Sequence, residues 1–181
     1  MNLAKYQKTA GLAERSKYFV VLWMLFGEPL VSSSIPGTKF RILLLRFFGA
    51  KIGNGVVIKP RVQIKYPWKL SIGDNSWIGE HVWIDNLAEV SIGHDVCISQ
   101  GAYLCTGSHD WTSATFDLIT QSITLEAHSW VCAKATIGPG SKLGEGSVVS
   151  LGCVFTGTLG PWQIISAKKE ELCSNTRRVI K

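Results

Sequence analysis

Aliphatic residues recur every six positions along most of this chain, and that period admits few folds. The series runs Ile52, Ile58, Ile64, then Ile72, Ile78, Ile84, then Ile92, Ile98, Leu104. It resumes at Leu125, Val131, Ile137, Leu143, Val149 and Phe155, giving fifteen positions in phase. An α-helix needs a period of 3.6 and a half-buried strand a period of 2, so neither accounts for it. Four residues after most of these positions stands a small or β-branched one, among them Val56, Ser76, Val96, Ser108, Ala135 and Cys153. A coil of three short strands wound as a triangular prism satisfies both registers. Each unit supplies one flat side and one corner. The aliphatic side chain fills the interior, the small one packs inside near the corner, and Gly or Asn takes the turn's backbone angles. Successive coils then stack about 4.8 Å apart.

Nine units precede a break and six follow, which predicts about five coils over residues 51–160 of a single domain, 1–181. The steps from Ile64 to Ile72 and from Ile84 to Ile92 are eight residues, so each carries two extra residues that a corner must absorb. Residues 105–124 leave the period and read as a loop thrown out of the prism wall. Long loops on a rigid scaffold tend to carry function. Residues 1–50 lack the repeat. Segments near 15–27 and 38–48 look helical, with Pro29 and Pro36 between them. They are expected to cap an end that would otherwise expose core and strand edge. The tail, 161–181, is expected to cap the other end.

Composition narrows the function classes. With 46% hydrophobic and 18% charged residues the chain forms a packed core. Its net charge of +6 divides into +10 over residues 1–70 (twelve Lys/Arg, two Asp/Glu) and −4 over 71–181 (seven against eleven). A basic, apolar first third suits either a packed cap with solvated cations or a peripheral contact of residues 1–50 with an anionic membrane. No nucleic-acid signature accompanies it. The five cysteines are odd in number and lack CxxC spacing, so neither a disulfide framework nor a zinc site is expected, and a reducing, cytoplasmic setting follows. The apolar run Tyr18–Phe26 precedes Glu28 and Pro29 and is shorter than the roughly 20 residues that span a bilayer. It has no leader-like cleavage site.

The repeat, together with Trp83-Ile84-Asp85-Asn86-Leu87 and the stretch from Ile98 through Cys105-Thr106-Gly107-Ser108-His109-Asp110-Trp111, resembles the hexapeptide-repeat acyltransferases. Within them it is similar to the colanic-acid biosynthesis acetyltransferase group, relatives of the nodulation and galactoside acetyltransferases. The resemblance covers roughly residues 40–160. It implies a left-handed parallel β-helix, a homotrimer with active sites between subunits, and transfer of acetyl from acetyl-coenzyme A to a sugar hydroxyl without a metal. It implies His109 as general base, a role suited to imidazole because its pKa lies near neutrality. Asp85 and Asn86 fall where relatives contact the acceptor. Asp110 and Trp111 are further acceptor-side candidates, with Phe116 a second loop aromatic. Ala133, Leu151 and Thr156 align with cofactor-contacting positions, and Arg178 and Lys181 resemble a terminal basic motif that meets phosphates. Gly157 replaces the Lys that usually follows Thr156, and Ser166-Ala167-Lys168-Lys169 replaces a Gly-Asn-Pro-Ala segment.

Other classes fit less well. A trimeric zinc hydratase would need about three histidines on one ion. His81, His94, His109 and His128 differ in repeat phase, so they are not expected to converge within a chain. Fifty residues are too few for an added nucleotide-binding domain. A catalytically inactive solenoid, serving as scaffold or binding protein, is the alternative.

Overall fold

The structure, a computed structural model, describes Ala4, Tyr6, residues 12–166 and the backbone of 169–173. Three parallel sheets form the walls of the expected β-helix. The first has strands at 51–52, 70–72, 90–92, 123–125, 142–143 and 158–159. The second has strands at 57–58, 77–78, 97–98, 130–131, 148–149 and 164–166. The third has strands at 63–64, 83–85, 103–105, 136–137 and 154–155. Five complete coils are followed by two walls of a sixth. Part of the tail expected as a cap is therefore wall: Ile164–Ser166 pairs in parallel with 148–149, and 169–173 returns antiparallel on it. The sequence hid this coil because Leu159 follows Phe155 by only four residues.

Register explains the period. Ile52, Ile72, Ile92, Leu125, Leu143 and Leu159 stand in one inward column, and Ile64, Ile84, Leu104, Ile137 and Phe155 in another. All are buried. The small register packs the corners, where Ser76 Oγ donates to Gly93 O (2.7 Å) and accepts from Val96 N (3.0 Å). Ser108 fits the spacing but lies exposed outside the wall. Coils approach so closely that a Cβ on Gly73 would sit 2.6 Å from the Gly93 carbonyl carbon. Only glycine fits there.

The N-terminal segment is helical over Lys17–Leu22, Trp23–Gly27 and Glu28–Val31, then again over Lys39–Phe47. Pro29 does not end the first run as expected. The turn before it is a π-helix, in which Glu28 N–H reaches back to Trp23 O. That widening accommodates a ring that would clash in regular helix. Buried Arg41 donates to the carbonyls of Val31, Ser33, Ile35 and Gly37, tying the connection to the second helix. Trp23 Nε1 donates to Lys65 O (2.9 Å), fixing the cap on the prism.

Candidate active site

The irregular segments share one edge. Where the chain passes from the third sheet to the first, coil one inserts 65–69 with a 3-10 turn at Pro67–Lys69, coil two inserts 86–89, and coil three inserts 106–122. Stacked side chains hold this edge. Asn86 is buried; its Oδ1 accepts from Tyr66 N (2.9 Å) and its Nδ2 donates to Tyr66 O (2.7 Å). Below it, buried Thr106 donates through Oγ1 to Asp85 O (3.0 Å) and accepts from Ala88 N (3.0 Å). Both amide ends of Asn86 thus serve the fold.

Beyond Thr106 the chain forms an antiparallel hairpin, Gly107–His109 against Leu118–Thr120. Gln121 N donates to Thr106 O (2.9 Å) and closes its neck. Gly107 brings the hairpin against Leu87: a Cβ there would lie 2.7 Å from the Leu87 side chain. The long loop is therefore a built feature of the edge.

His109 is half-buried in this hairpin. Its Nδ1 lies 2.8 Å from Phe116 O. A carbonyl only accepts, so Nδ1 carries the hydrogen, and in the neutral ring Nε2 is the basic nitrogen. The Phe116 ring stacks on the imidazole (centroids 4.2 Å, 3° between planes), and Tyr6 meets it edge-on at 5.7 Å. Phe116 has φ 54°, a left-handed conformation that costs a non-glycine residue about 1–2 kcal/mol. Strained backbone of this kind clusters where a site requires it.

Asp110 is occupied elsewhere. Its Oδ1 accepts from Thr112 N (2.8 Å), Thr112 Oγ1 (2.6 Å) and Ser113 N (3.3 Å). The bond from the Thr112 side chain is the first cause of a carboxyl held below its usual range. Asp110 thus caps the hairpin tip. Trp111 stands on that tip, 83% exposed.

Asp85 belongs to a polar group on the third wall. Lys65 Nζ lies 3.0 Å from Oδ1, an ion pair without hydrogen-bond alignment, since Oδ1 makes no hydrogen bond. Tyr103 OH donates to Oδ2 (3.3 Å). Burial, then Cys105 and Asp85, push the Tyr103 hydroxyl well above its ordinary pKa. Trp83 and Tyr103 stack at 4.7 Å. A cleft of about 320 Å³ runs from this wall to the cap, lined by Trp23, Met24, Lys65, Trp83 and Asp85 among others.

The positions aligned with cofactor contacts flank the lower part of the same wall. Ala133 and Leu151 occupy neighbouring corners, joined by Gly152 N donating to Ala133 O (3.0 Å). Thr156 lies against Gly138 at the opposite edge of that wall. Between them Val154 is 73% exposed, beside Leu151 at 67%, an apolar strip. Arg178 and Lys181 lie outside the described residues. Sequence reasoning missed Lys65, Tyr103 and Tyr6. The twenty-residue step from Trp83 to Tyr103 could have shown the stacked aromatics, whereas nothing in the sequence near Tyr6 signals its approach to His109.

No family model matches the chain. It is 46% identical over 111 residues, 61% of each chain, to WcaF of Escherichia coli (strain K12), named as a colanic acid biosynthesis acetyltransferase. It thus spans 61% of the length of that curated relative. The fold is shared with a hexapeptide-repeat acetyltransferase of Vibrio cholerae complexed with acetyl coenzyme A (TM-score 0.75, 18% identity, 93% of this chain and 88% of that one). It is also shared with a galactoside acetyltransferase in complex with coenzyme A (TM-score 0.72, 18% identity, 96% and 90%). The resemblance read from the sequence is matched by WcaF, and the fold it implies by the two solved structures.

Proposed function

We propose that the protein transfers an acetyl group from acetyl-coenzyme A to a sugar hydroxyl during polysaccharide assembly, with His109 as general base. The observation that carries this reading is the imidazole whose Nδ1–H is committed to Phe116 O, leaving Nε2 as proton acceptor. Similarity to WcaF and the fold shared with enzymes bound to acetyl coenzyme A or coenzyme A support it. His109 Nε2 takes the hydroxyl proton as the acceptor oxygen bonds to the thioester carbonyl. The C–S bond then breaks, and the imidazolium returns the proton to the leaving sulfur. The stacked Phe116 ring and the Nδ1–H bond orient the base, and general-base proton transfer of this kind typically contributes about 10²–10⁴-fold. Asp85, with Lys65 and Tyr103 around it, offers an acceptor-side carboxylate. The exposed strip at Leu151 and Val154 suits the methylene and dimethyl groups of a pantetheine arm, with backbone at Ala133 and Thr156 on its flanks to meet its amides.

The test is acceptor-dependent release of coenzyme A from acetyl-coenzyme A, across free, nucleotide-linked and lipid-linked saccharides, for wild type and His109→Ala. Release that falls at least about 10²-fold in the variant is expected. Full activity in the variant would move the chemistry elsewhere. An absence of both turnover and coenzyme A binding would favour the inactive solenoid.

The same reading includes a homotrimer working at the cytoplasmic face of a membrane. The second wall presents Val57, Trp77, Cys97 and Trp130 outward, with Trp77 56% and Trp130 41% exposed in one chain. Packing of copies would cover this surface. The cap helix exposes Val21, Leu22, Met24, Leu25 and Phe26 beside Lys17, and no described helix is long and apolar enough to cross a membrane. Monomer mass in solution scattering would refute the trimer. Equal, salt-independent recovery with neutral and anionic vesicles would refute electrostatic docking.

A further inference from the structure

Two histidines expected to stay apart meet at a corner far from the hairpin. His94 and Asp95 follow Gly93 where coil three turns from the first wall to the second, and His128 follows Ala127 at the same corner of coil four. His94 and His128 do differ in phase, standing two and three residues after Ile92 and Leu125, yet they meet because neighbouring positions of stacked corners lie side by side. His128 N donates to His94 O (3.1 Å), which locks one corner over the other. The imidazoles stand edge to face with centroids 5.0 Å apart, and His94 Nδ1 lies 2.7 Å from Asp95 Oδ2. One donor atom from each of the three residues lies within 4.8 Å of the others.

We propose that His94, Asp95 and His128 form a binding site for a borderline divalent cation of the Zn²⁺ type. Two imidazoles and a carboxylate match that class of ion, not the oxygen-only preference of Ca²⁺ or Mg²⁺. Ligand bonds of about 2.0–2.1 Å place donors on one tetrahedral ion roughly 3.4 Å apart. Contraction from 4.8 Å would come from side-chain rotation at His94 and Asp95. The side chains have that freedom, His94 being 56% and Asp95 41% exposed. Three protein ligands leave a position for water. The ion would bridge coils three and four, between which the chain leaves the wall to build the hairpin carrying His109. Its role is a clamp on that junction, independent of the acetyl-transfer reading.

The test uses full-length, untagged, chelator-treated protein titrated with Zn²⁺, and with Co²⁺ for its visible absorption. One equivalent per chain, with a raised unfolding midpoint, is expected. His94→Ala and His128→Asn should each weaken binding at least about tenfold, because each removes one of three ligands. Asn tolerates the φ of 59° at residue 128, so that variant keeps the corner. His81→Ala, at another corner, should bind as wild type does. Failure of wild type to bind, or binding that survives in the His94→Ala/His128→Asn double variant, would overturn the proposal.

Discussion

One edge of the prism is built in two ways. Toward its lower end the corners at 138–141 and 156–157 are tight turns of the repeat. Toward its upper end three successive corners carry extra residues, and there sit Asn86, Thr106, Asp85 and the His109 hairpin. The tight corners carry the chain from one coil to the next without leaving the wall. The enlarged corners use buried side chains to replace turn hydrogen bonds, and this frees backbone to leave the wall. The solenoid supplies rigidity, and the broken period supplies a place for chemistry.

Substitutions on the two sides of this divide should fail differently. His109→Ala should lower acceptor-dependent turnover by about 10²–10⁴-fold while leaving the thermal midpoint near wild type. A matching loss of stability would erase the distinction between hairpin and wall. Leu104→Ala, one strand upstream in the inward column, should destabilise the fold by about 2–5 kcal/mol in denaturant titration. Asn86→Ala strands the Tyr66 N–H and C=O and should cost about 1–3 kcal/mol. A cost near zero there would mean that water replaces the amide. The smallest effect belongs to Asp110→Ala, which should loosen the tip, read as faster amide exchange at Thr112 and Ser113. The carboxyl of Asp110 is held below its ordinary pKa in the folded chain. Its contribution is therefore fully present above the unfolded value of about 3.9 and is lost as pH falls through the lower folded value. The exchange difference between wild type and variant should vanish in acid.

The walls were legible because side-chain burial alone sets their period: Ile52, Ile72 and Ile92 point inward for one reason, whatever the function. Ile165 was not, since the step from Phe155 to Leu159 changes the phase without changing the geometry. His109 was legible only through resemblance, as its loop has no period. Its setting was not legible at all. The bond to Phe116 depends on a left-handed residue seven positions on, and Tyr6 arrives from a segment with no pattern. Asp110, adjacent to the imidazole in sequence, turns to Thr112 instead. The meeting of His94 with His128 was hidden for another reason: their phases differ by one residue, yet stacked corners bring neighbouring positions together in space.

In the proposed mechanism Phe116 O fixes the tautomer of His109, so that Nε2 is the base. The ¹⁵N chemical shifts of the His109 ring, assigned by comparison with His109→Gln, test it directly at a pH where the ring is neutral. The structure predicts a protonated Nδ1 and an unprotonated Nε2. A proton on Nε2 would mean that the imidazole presents a donor to the acceptor hydroxyl, and that would contradict the general-base role proposed for it.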